Sequence, residues 1–326
     1  MPELIDGYGR KIVKLRVSIT DRCPLRCIYC NSEGISFLPR EKILKLEEII
    51  KIVKIFSRLG IKKIRITGGE PLSRKGLESL IEGIHKIGGI EDIGLTTNGQ
   101  ELERKAEELK KAGLNRINVS LDTLDPEKYR IITGGGILEK TLNGIREAVR
   151  AGLRPLKINA VIIRGINDDE IENLASFSLK NDFYIRFIEF MTYNFITHNG
   201  EESNRLKQRA LLNTEIKDIL KNTLARAIRV ENRGHEELFL FNNGKAGIGF
   251  ISPESAPFCS SCNKLRLTSW GELLECLYAE NGLNLRDLLR NETDEEMIKN
   301  EIVNFVKAKC YSKYGRYNLN MKSIGG

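Results

Sequence analysis

From residue 11 onward, the chain switches repeatedly between two spacings of its hydrophobic residues. In short stretches every second residue is apolar, as in a strand, while in longer stretches apolar residues recur three and four positions apart, as in an amphipathic helix. The predicted strands are KLRVSIT, KKIRITGG, IEDIGLTTNG, LNRINVSLD, RPLKINAVI and FYIRFIEFM, with stretches such as LEEIIKIVKIFSRLG and KAEELKKAG between them. Strands joined by helical crossovers pair in parallel, so the pattern predicts an α/β fold built on six parallel strands.

Polar residues occupy the alternate positions of these strands. Arg65 lies between Ile64 and Ile66, and Arg16 and Lys157 hold equivalent positions in the first and fifth strands. Because successive side chains of a strand point to opposite faces, we expect the apolar set to meet the helices and the polar set to line a lumen. Buried cations are costly unless paired, so this lumen predicts a large anionic or polar ligand. The alternative is an antiparallel sheet with one solvated face, which the crossover-length helical stretches disfavour.

The polar segment 192–212 interrupts the alternation of strands and helices and predicts a boundary between two domains, residues 1–195 and 196–326. Beyond it the pattern predicts a helix near 213–221, a hairpin of ELFLF and AGIGF around an NNGK turn, and two C-terminal helices. The second part therefore reads as a smaller α+β domain.

The charge balance of the 326 residues favours an anionic partner. Lys+Arg number 52 against 44 Asp+Glu, a formal net charge of +8, which suits a nucleotide triphosphate, a nucleic acid or an acidic surface. Most lysines alternate with glutamates along helical stretches, so much of the excess is a solvated face. No apolar run approaches the roughly 18 residues of a membrane span and no signal-peptide pattern opens the chain, which predicts a cytoplasmic protein without a membrane partner.

Three of the seven cysteines share one short loop. Cys23, Cys27 and Cys30 have C-x3-C-x2-C spacing. Three thiolates can hold three irons of a four-iron, four-sulfur cluster and leave the fourth iron open, the arrangement needed to pass an electron to S-adenosylmethionine. The alternatives are half of a zinc site or three buried cysteines, but zinc sites usually recruit cysteines in even sets.

A second cysteine group follows in the C-terminal part. Cys259, Cys262 and Cys276 have C-x2-C-x13-C spacing, again three thiolates and not four. They predict either a zinc site short of one ligand or a second iron-sulfur cluster with an open iron. Cys310 stands apart from both groups and reads as a spare.

The first loop, with Tyr29 just before its last cysteine, resembles the cluster loop of the radical S-adenosylmethionine superfamily. From Arg16 to Gly326 the chain resembles the GTP 3',8-cyclase family of molybdenum cofactor biosynthesis, whose auxiliary cluster has the same C-x2-C-x13-C spacing. Pro24 and Asn31 stand where close family members carry Asn and Met. The resemblance implies a partial (β/α)6 barrel of the TIM type, followed by a C-terminal α+β domain with a second cluster.

The resemblance also implies a reaction and its cofactors. A lyase of this family converts GTP to (8S)-3',8-cyclo-7,8-dihydroguanosine 5'-triphosphate by radical chemistry, using S-adenosylmethionine and two 4Fe-4S clusters with three cysteine ligands each. An external electron donor supplies the reductant, and cyclic pyranopterin monophosphate synthase receives the product. No nucleic acid partner is implied.

Residue roles carry over by position. The implied ligands of the clusters are Cys23, Cys27, Cys30, Cys259, Cys262 and Cys276. The implied contacts of S-adenosylmethionine, around the motif ITGGEP, are Tyr29, Gly68, Gly69, Glu70, Ser120 and Met191. The implied contacts of GTP are Arg16, Arg65, Thr96, Lys157, Lys264, Leu265 and Arg266. Gly325 and Gly326 match a Gly-Gly tail that enters the active site in the family.

One of the GTP positions departs from the family pattern. Lys264 replaces an arginine, which keeps the charge but loses the two-pronged geometry that suits phosphate.

Three other interpretations are less well supported. GGGILEKT approaches a phosphate-binding loop, but Glu139 stands where the second glycine belongs, and its charge would repel phosphate. Radical enzymes that modify peptides tend to carry more C-terminal cysteines. A metal-stapled RNA-binding module would suit the pI of ≈ 9.0, yet no basic stripe with interleaved aromatics is present.

Overall fold

The computed structural model describes residues 3–30, 37–191, 208–279 and 281–311. Its first six strands pair in parallel, each with the next in sequence, so the predicted parallel sheet is confirmed and the antiparallel alternative is wrong. The strands are β1 Lys14–Ser18, β2 Lys63–Thr67, β3 Asp92–Thr97, β4 Arg116–Ser120, β5 Leu156–Val161 and β6 Tyr184–Ile188. The helices are α1 Leu46–Arg58, α2 Leu77–His85, α3 Leu102–Lys111, α4 Pro126–Thr133, α5 Leu138–Arg150 and α6 Ile171–Lys180.

Helix α4 was not predicted, although its sequence carries the signals of a helix. The Asp125 side chain accepts hydrogen bonds from the backbone N–H groups of Glu127 and Lys128, at 2.8 and 2.9 Å. Pro126 occupies the first helical position, and Gly134 ends the helix with a left-handed φ of 64°. This helix matters for the site because its last turn supports the first cysteine loop.

The alternating strand pattern sorts as predicted. Val17, Ile66, Val119 and Ile158 are fully buried and belong to one core that includes the inner faces of the helices. Helix α1 contributes Phe56 to that core, also fully buried. Burying one such large side chain contributes about 1.5–3 kcal/mol relative to leaving it exposed, so this layer holds the strands in register.

Strands from the C-terminal part continue the same sheet at both edges. β9 (Ala246–Ile251) pairs in parallel with β6, and β10 (Lys264–Leu267) pairs in parallel with β1, which puts Gly249 opposite Arg186 and Arg266 opposite Arg16. The remaining elements are β7 Arg229–Asn232, β8 Glu237–Phe241, β9 Ala246–Ile251, β10 Lys264–Leu267, β11 Glu272–Leu274, β12 Leu283–Asn284, α7 Asn213–Ile219, α8 Lys221–Leu224, α9 Leu285–Arg290 and α10 Glu295–Lys307. Within the described ranges the order is β12-β11-β10-β1-β2-β3-β4-β5-β6-β9-β8-β7.

This topology is an open mixed sheet consistent with a partial barrel, so the predicted fold class is confirmed. The predicted hairpin of β8 and β9 forms, with a short turn at Asn242–Gly244. C-terminal strands flank the barrel strands on both sides, an arrangement that was not predicted from the sequence. The proposed boundary at 195/196 falls in the undescribed segment 192–207 and stays a prediction. None of the described helices is long and apolar enough to cross a bilayer.

Candidate functional site

The first cysteine loop lies between the ends of two secondary-structure elements. The backbone N–H groups of Arg26 and Ile28 donate to the carbonyls of Thr133 and Ile132, both at 2.9 Å, at the end of α4. After β2, the backbone N–H of Gly69 donates to the Thr20 carbonyl at 2.6 Å. These backbone bonds place the loop at the carboxyl ends of the parallel strands, where ligands of α/β folds bind.

The three cysteines of the loop suit a cationic group. All are partly buried and none is in a disulfide. Burial, together with the nearby Cys30, Asp122 and Cys23, raises the pKa of Cys27 well above its usual value. Crowded thiolates become stable when a metal withdraws their charge, so the donor set fits a cluster. Among the described residues no three His, Cys, Asp or Glu side chains are arranged to hold one metal ion. In a 4Fe-4S cluster each thiolate binds its own iron, so the ligands need not converge on one point.

A cavity of about 180 Å³ opens over this loop. Its lining includes all the residues predicted for S-adenosylmethionine except Met191. The lining residues are Cys23, Leu25, Cys27, Tyr29, Cys30, Thr67, Gly68, Gly69, Glu70, Thr96, Thr97, Asn98 and Ser120.

The two glycines of this cavity allow a close approach between backbones. A Cβ on Gly69 would lie 2.3 Å from the Arg22 carbonyl oxygen, and one on Gly68 would lie 2.5 Å from that of Thr20. Gly68 also has a φ of 147°, which side chains rarely allow. The glycine pair is therefore what lets the turn after β2 sit directly against the cysteine loop.

Glu70 is the charged group of the smaller cavity. It is almost fully buried, and its carboxylate accepts hydrogen bonds from the Leu72 N–H at 2.9 Å, the Thr97 hydroxyl at 2.7 Å and the Asn98 N–H at 2.7 Å. Burial raises the pKa of Glu70 to about 7, against the lowering effect of these donors. A carboxylate in this setting can accept an additional hydrogen bond from an ammonium group when it is ionised.

A larger cavity of about 330 Å³ adjoins the smaller one and shares Tyr29, Thr96 and Ser120 with it. All three C-terminal cysteines lie on its wall, together with Arg16, Lys264 and Arg266. The other lining residues are Asn118, Asp122, Asn159, Val161, Arg186, Ile188, Glu189, Phe190, Met191, His235, Ile251, Pro253, Pro257, Phe258, Glu275, Leu277 and Tyr278. The tertiary structure thus brings the two cysteine groups to neighbouring cavities.

Three residues predicted to contact GTP do not line the larger cavity. Leu265 is fully buried in the apolar core, as its position between two lumen-facing residues requires. Arg65 lies 3.7 Å from the carboxylate of Asp92, and burial lowers its pKa to about 10. Lys157 is nearly buried, with its Nζ 3.8 Å from Glu236, and burial lowers its pKa to about 7.

The C-terminal cysteines differ in their electrostatic surroundings. Burial opposes ionisation of Cys262, but the charge of Lys309, a hydrogen bond from the Lys264 backbone and the charges of Lys264 and Arg10 together lower the pKa of this thiol. Burial dominates at Cys276 and raises its pKa. The cations near Cys262 therefore favour its thiolate form, which is the form that binds a metal.

Cys310 lies on neither cavity wall. Its backbone N–H donates to the Glu275 carboxylate at 2.6 Å. The Arg10 guanidinium binds both the Cys310 carbonyl, at 2.8 Å, and the Cys259 carbonyl, at 2.6 Å. This cysteine therefore lies near the second group without lining the cavity that the group faces.

Arg186 and His235 line the larger cavity but were not predicted from the sequence as site residues. Arg186 occupies a polar position between Ile185 and Phe187 of β6, the same alternation that identified the other lumen cations. His235 precedes β8 in a polar turn and had no periodic signal. Burial and the charges of Lys264 and Arg186 lower the pKa of His235 to about 2, so this imidazole stays neutral.

Three further observations complete the site. The Tyr29 hydroxyl donates to Asp122 at 2.7 Å, across the boundary between the cavities. The Oδ1 atom of Asn159 is buried without a hydrogen-bond partner among the described residues, as expected where a polar ligand supplies the donor. Met191 lines the larger cavity, within 3.9 Å of the Tyr278 hydroxyl. Gly325 and Gly326 lie outside the described residues.

Sequence comparison divides the chain between two families. The family described as Radical SAM superfamily matches residues 17–178, and the one described as Molybdenum Cofactor Synthesis C matches residues 183–314. A curated GTP 3',8-cyclase from Thermodesulfovibrio yellowstonii is 45% identical over 327 residues, covering 98% of this chain and 99% of the relative. A GTP 3',8-cyclase from Petrotoga mobilis is 42% identical over 334 residues, covering 99% and 100%.

Solved structures show the same fold at low identity. Streptococcus suis SuiB bound to S-adenosylmethionine aligns with a TM-score of 0.63 and 14% identity, covering 93% of this chain and 74% of that one. SuiB bound to its precursor peptide SuiA aligns with a TM-score of 0.57 and 16% identity, covering 93% and 73%. At these identities the likeness concerns the fold alone.

Proposed function

Because this chain belongs to the GTP 3',8-cyclase family of the radical S-adenosylmethionine superfamily, we propose that it converts GTP to (8S)-3',8-cyclo-7,8-dihydroguanosine 5'-triphosphate, the first step of molybdenum cofactor biosynthesis. The observation that carries the proposal is the pairing of cavities: the larger one, with cations and the second cysteine group, adjoins the smaller one over the first cysteine loop. Cytoplasmic location, an external electron donor and transfer of product to cyclic pyranopterin monophosphate synthase remain predictions from the sequence.

The superfamily implies one 4Fe-4S cluster and S-adenosylmethionine. We assign the cluster to Cys23, Cys27 and Cys30, and we propose a second 4Fe-4S cluster on Cys259, Cys262 and Cys276. When bound, the first cluster and S-adenosylmethionine would supply the one-electron chemistry needed to remove a hydrogen atom from the ribose C3' of GTP.

The protein's own part is to hold the two ligands side by side and exclude water. Glu70 and the glycine pair form the pocket for the amino acid end of S-adenosylmethionine, with Tyr29 and Ser120 at the shared wall. Arg16, Lys264 and Arg266 attract the triphosphate from adjacent strands β1 and β10. Such positioning by fixed charges is how a protein directs a reactive cofactor toward one atom of its substrate.

Binding of S-adenosylmethionine should depend on pH through Glu70. Below about pH 7 the carboxyl group is protonated, loses its charge and attracts the ammonium group less. Above about pH 8 the α-amino group itself loses its proton. We therefore expect affinity to peak between about pH 7 and 8, measured by equilibrium binding to the anaerobically reconstituted protein. In Glu70→Gln the fall in affinity at low pH should disappear. In Glu82→Gln, a substitution on the exposed face of α2, this fall should remain. Identical profiles for the wild type and Glu70→Gln would contradict this role.

Arg266→Ala should weaken GTP binding by about tenfold or more, because a guanidinium makes paired, charge-assisted hydrogen bonds with phosphate. Calorimetric titration of the reconstituted protein with GTP measures the change, and its salt dependence should become shallower. Arg150→Ala is the matched control, since Arg150 is an exposed arginine at the end of α5. An unchanged GTP affinity in Arg266→Ala would remove Arg266 from the phosphate site.

The reaction itself is tested with GTP carrying deuterium at C3'. The reconstituted enzyme, S-adenosylmethionine and a strong reductant should give an isomer of GTP, with the deuterium recovered in 5'-deoxyadenosine. The product has the same composition as GTP because one hydrogen atom is lost from C3', and one electron and one proton are added after the new C3'–C8 bond has formed. Release of 5'-deoxyadenosine without deuterium would show that GTP is not the hydrogen donor. RNA competition at several salt concentrations addresses the nucleic acid alternative.

A further inference from the structure

Glu236 is a buried carboxylate among the cations of the lumen. Only 1% of its surface is exposed, and its two oxygens accept from Nε and Nη2 of Arg186 at 2.8 and 3.1 Å. The same carboxylate lies 3.8 Å from the Nζ of Lys157. A paired contact of this kind fixes the plane of the guanidinium as well as its position. Arg186 lines the larger cavity, so whatever holds it also decides how it faces a ligand there.

Glu236 does not itself line the larger cavity, but a negative charge so close to the cations of an anion site requires a reason. The surrounding cations repel one another: burial, and then the charges of Arg266, Arg65 and Arg186, lower the pKa of the half-buried Arg16. A long arginine side chain under such repulsion would turn away from its neighbours unless an acceptor held it. Glu236 supplies that acceptor at the cost of one unit of positive charge, and the charges of Arg186 and Lys157 keep the pKa of Glu236 at about 2 despite its burial.

The backbone is also shaped around this pair. Gly249 of β9 lies opposite Arg186 of β6. A Cβ at position 249 would come within 2.6 Å of Glu236 Oε1. Only glycine leaves the carboxylate in place, so a methyl group there would push Glu236 away without changing any charge.

We propose that Glu236 is a positioning residue that holds Arg186 ready for the anionic end of the nucleotide. An arginine has five N–H donors, and the pair with Glu236 uses two of them, so the same guanidinium can bind a further acceptor. Glu236 acts through Arg186 and does not itself contact the phosphates. The inference rests on GTP being the substrate, as proposed above.

The test measures GTP affinity in Glu236→Gln and Gly249→Ala of the anaerobically reconstituted enzyme. Both variants should bind GTP about tenfold more weakly, since a tenfold loss corresponds to the 1.4 kcal/mol expected when one paired contact is misplaced. For Glu236→Gln this is opposite to simple electrostatics, because a negative charge beside the cavity is lost and the cavity should attract the anion more strongly. Equal or tighter GTP binding in Glu236→Gln would overturn the proposal.

Exchanging the charges of Arg186 and Glu236 distinguishes a positioning role for Glu236 from an ion pair that only stabilises the fold. In Arg186→Glu with Glu236→Arg the pair can re-form, so thermal stability should recover toward that of the wild type. GTP affinity should not recover, because the arginine then projects from position 236, just before β8, a position that does not line the larger cavity. Recovery of both would mean that the ion pair only stabilises the fold. Gly249→Ala keeps every charge, and its melting temperature and iron content show whether it folds.

The wild type and Arg186→Ala separate this inference from the proposed function. If the wild type does not bind GTP, the proposed substrate is wrong. If the wild type binds GTP and Arg186→Ala weakens it while Glu236→Gln does not, only the positioning role of Glu236 is wrong.

Discussion

Cys27→Ala is expected to abolish reductive cleavage of S-adenosylmethionine. Cys27 is the middle ligand of the first loop and lines the smaller cavity, so its loss leaves two thiolates for a cluster that needs three. Changes to residues that merely support a metal ligand already cost about 10–100-fold, so removing a ligand should cost more. The measurement is 5'-deoxyadenosine released under strong reductant, with and without GTP, alongside iron per chain. Both activities should fall to background and about half of the iron should be lost.

Cys310→Ala is the matched control for that experiment. It removes one thiol of the seven but lies on neither cavity wall. Iron content and cleavage should match the wild type. Loss of iron in this variant would make Cys310 a ligand, while unchanged cleavage in Cys27→Ala would remove the first loop from the cluster.

Cys262→Ala should produce a different loss. Cys262 lines the larger cavity and not the smaller one, so the pocket for S-adenosylmethionine stays complete. We expect about half of the iron to be lost and cyclisation of GTP to disappear, while slow cleavage of S-adenosylmethionine without GTP persists. Anaerobic product analysis and iron counting measure both effects. Cys27→Ala should therefore lose both cleavage of S-adenosylmethionine and cyclisation of GTP, whereas Cys262→Ala should lose only cyclisation.

The metal content of Cys262→Ala also decides between iron and zinc at the second site. If the wild type carries about one zinc per chain and the variant loses only that zinc, the site is structural, as closed zinc sites are. If both cyclisation and iron content are unchanged by the substitution, the second cluster does not exist at these cysteines. If Cys262→Ala keeps its iron but no longer cyclises GTP, Cys262 contributes to substrate binding and is not a cluster ligand.

Much of the fold was accessible from local pattern. The alternation around Ile66 and Val119 identified both the strands and the face of the sheet on which each side chain lies. Successive side chains point to opposite faces, so only one register places all the apolar side chains against the helices. Helix α4 could also have been found, since Asp125, Pro126 and Gly134 are ordinary start and stop signals. What local pattern could not supply was the addition of β9 and β10 to the edges of the barrel strands, which depends on pairing between residues far apart in the chain.

The same limit applies within the site, where the predicted contacts of GTP stay predictions. Arg65 and Lys157 have the lumen-facing positions that the pattern predicts, but their partners Asp92 and Glu236 come from other segments. Neither lines the larger cavity, whereas Arg186, overlooked in the sequence, does. A sequence shows which residues carry charge, and only the folded chain shows which charges are already paired.

The chain alone determined the parallel α/β pattern and two sets of three thiolates, because periodicity and cysteine spacing are local properties that survive without any tertiary information. Only the tertiary structure decided that the two cysteine sets face adjoining cavities and that Glu236 stands among the lumen cations. Both outcomes depend on β9 and β10 joining opposite edges of one sheet. That long-range pairing is selected by burial of the whole core, and no single segment encodes it.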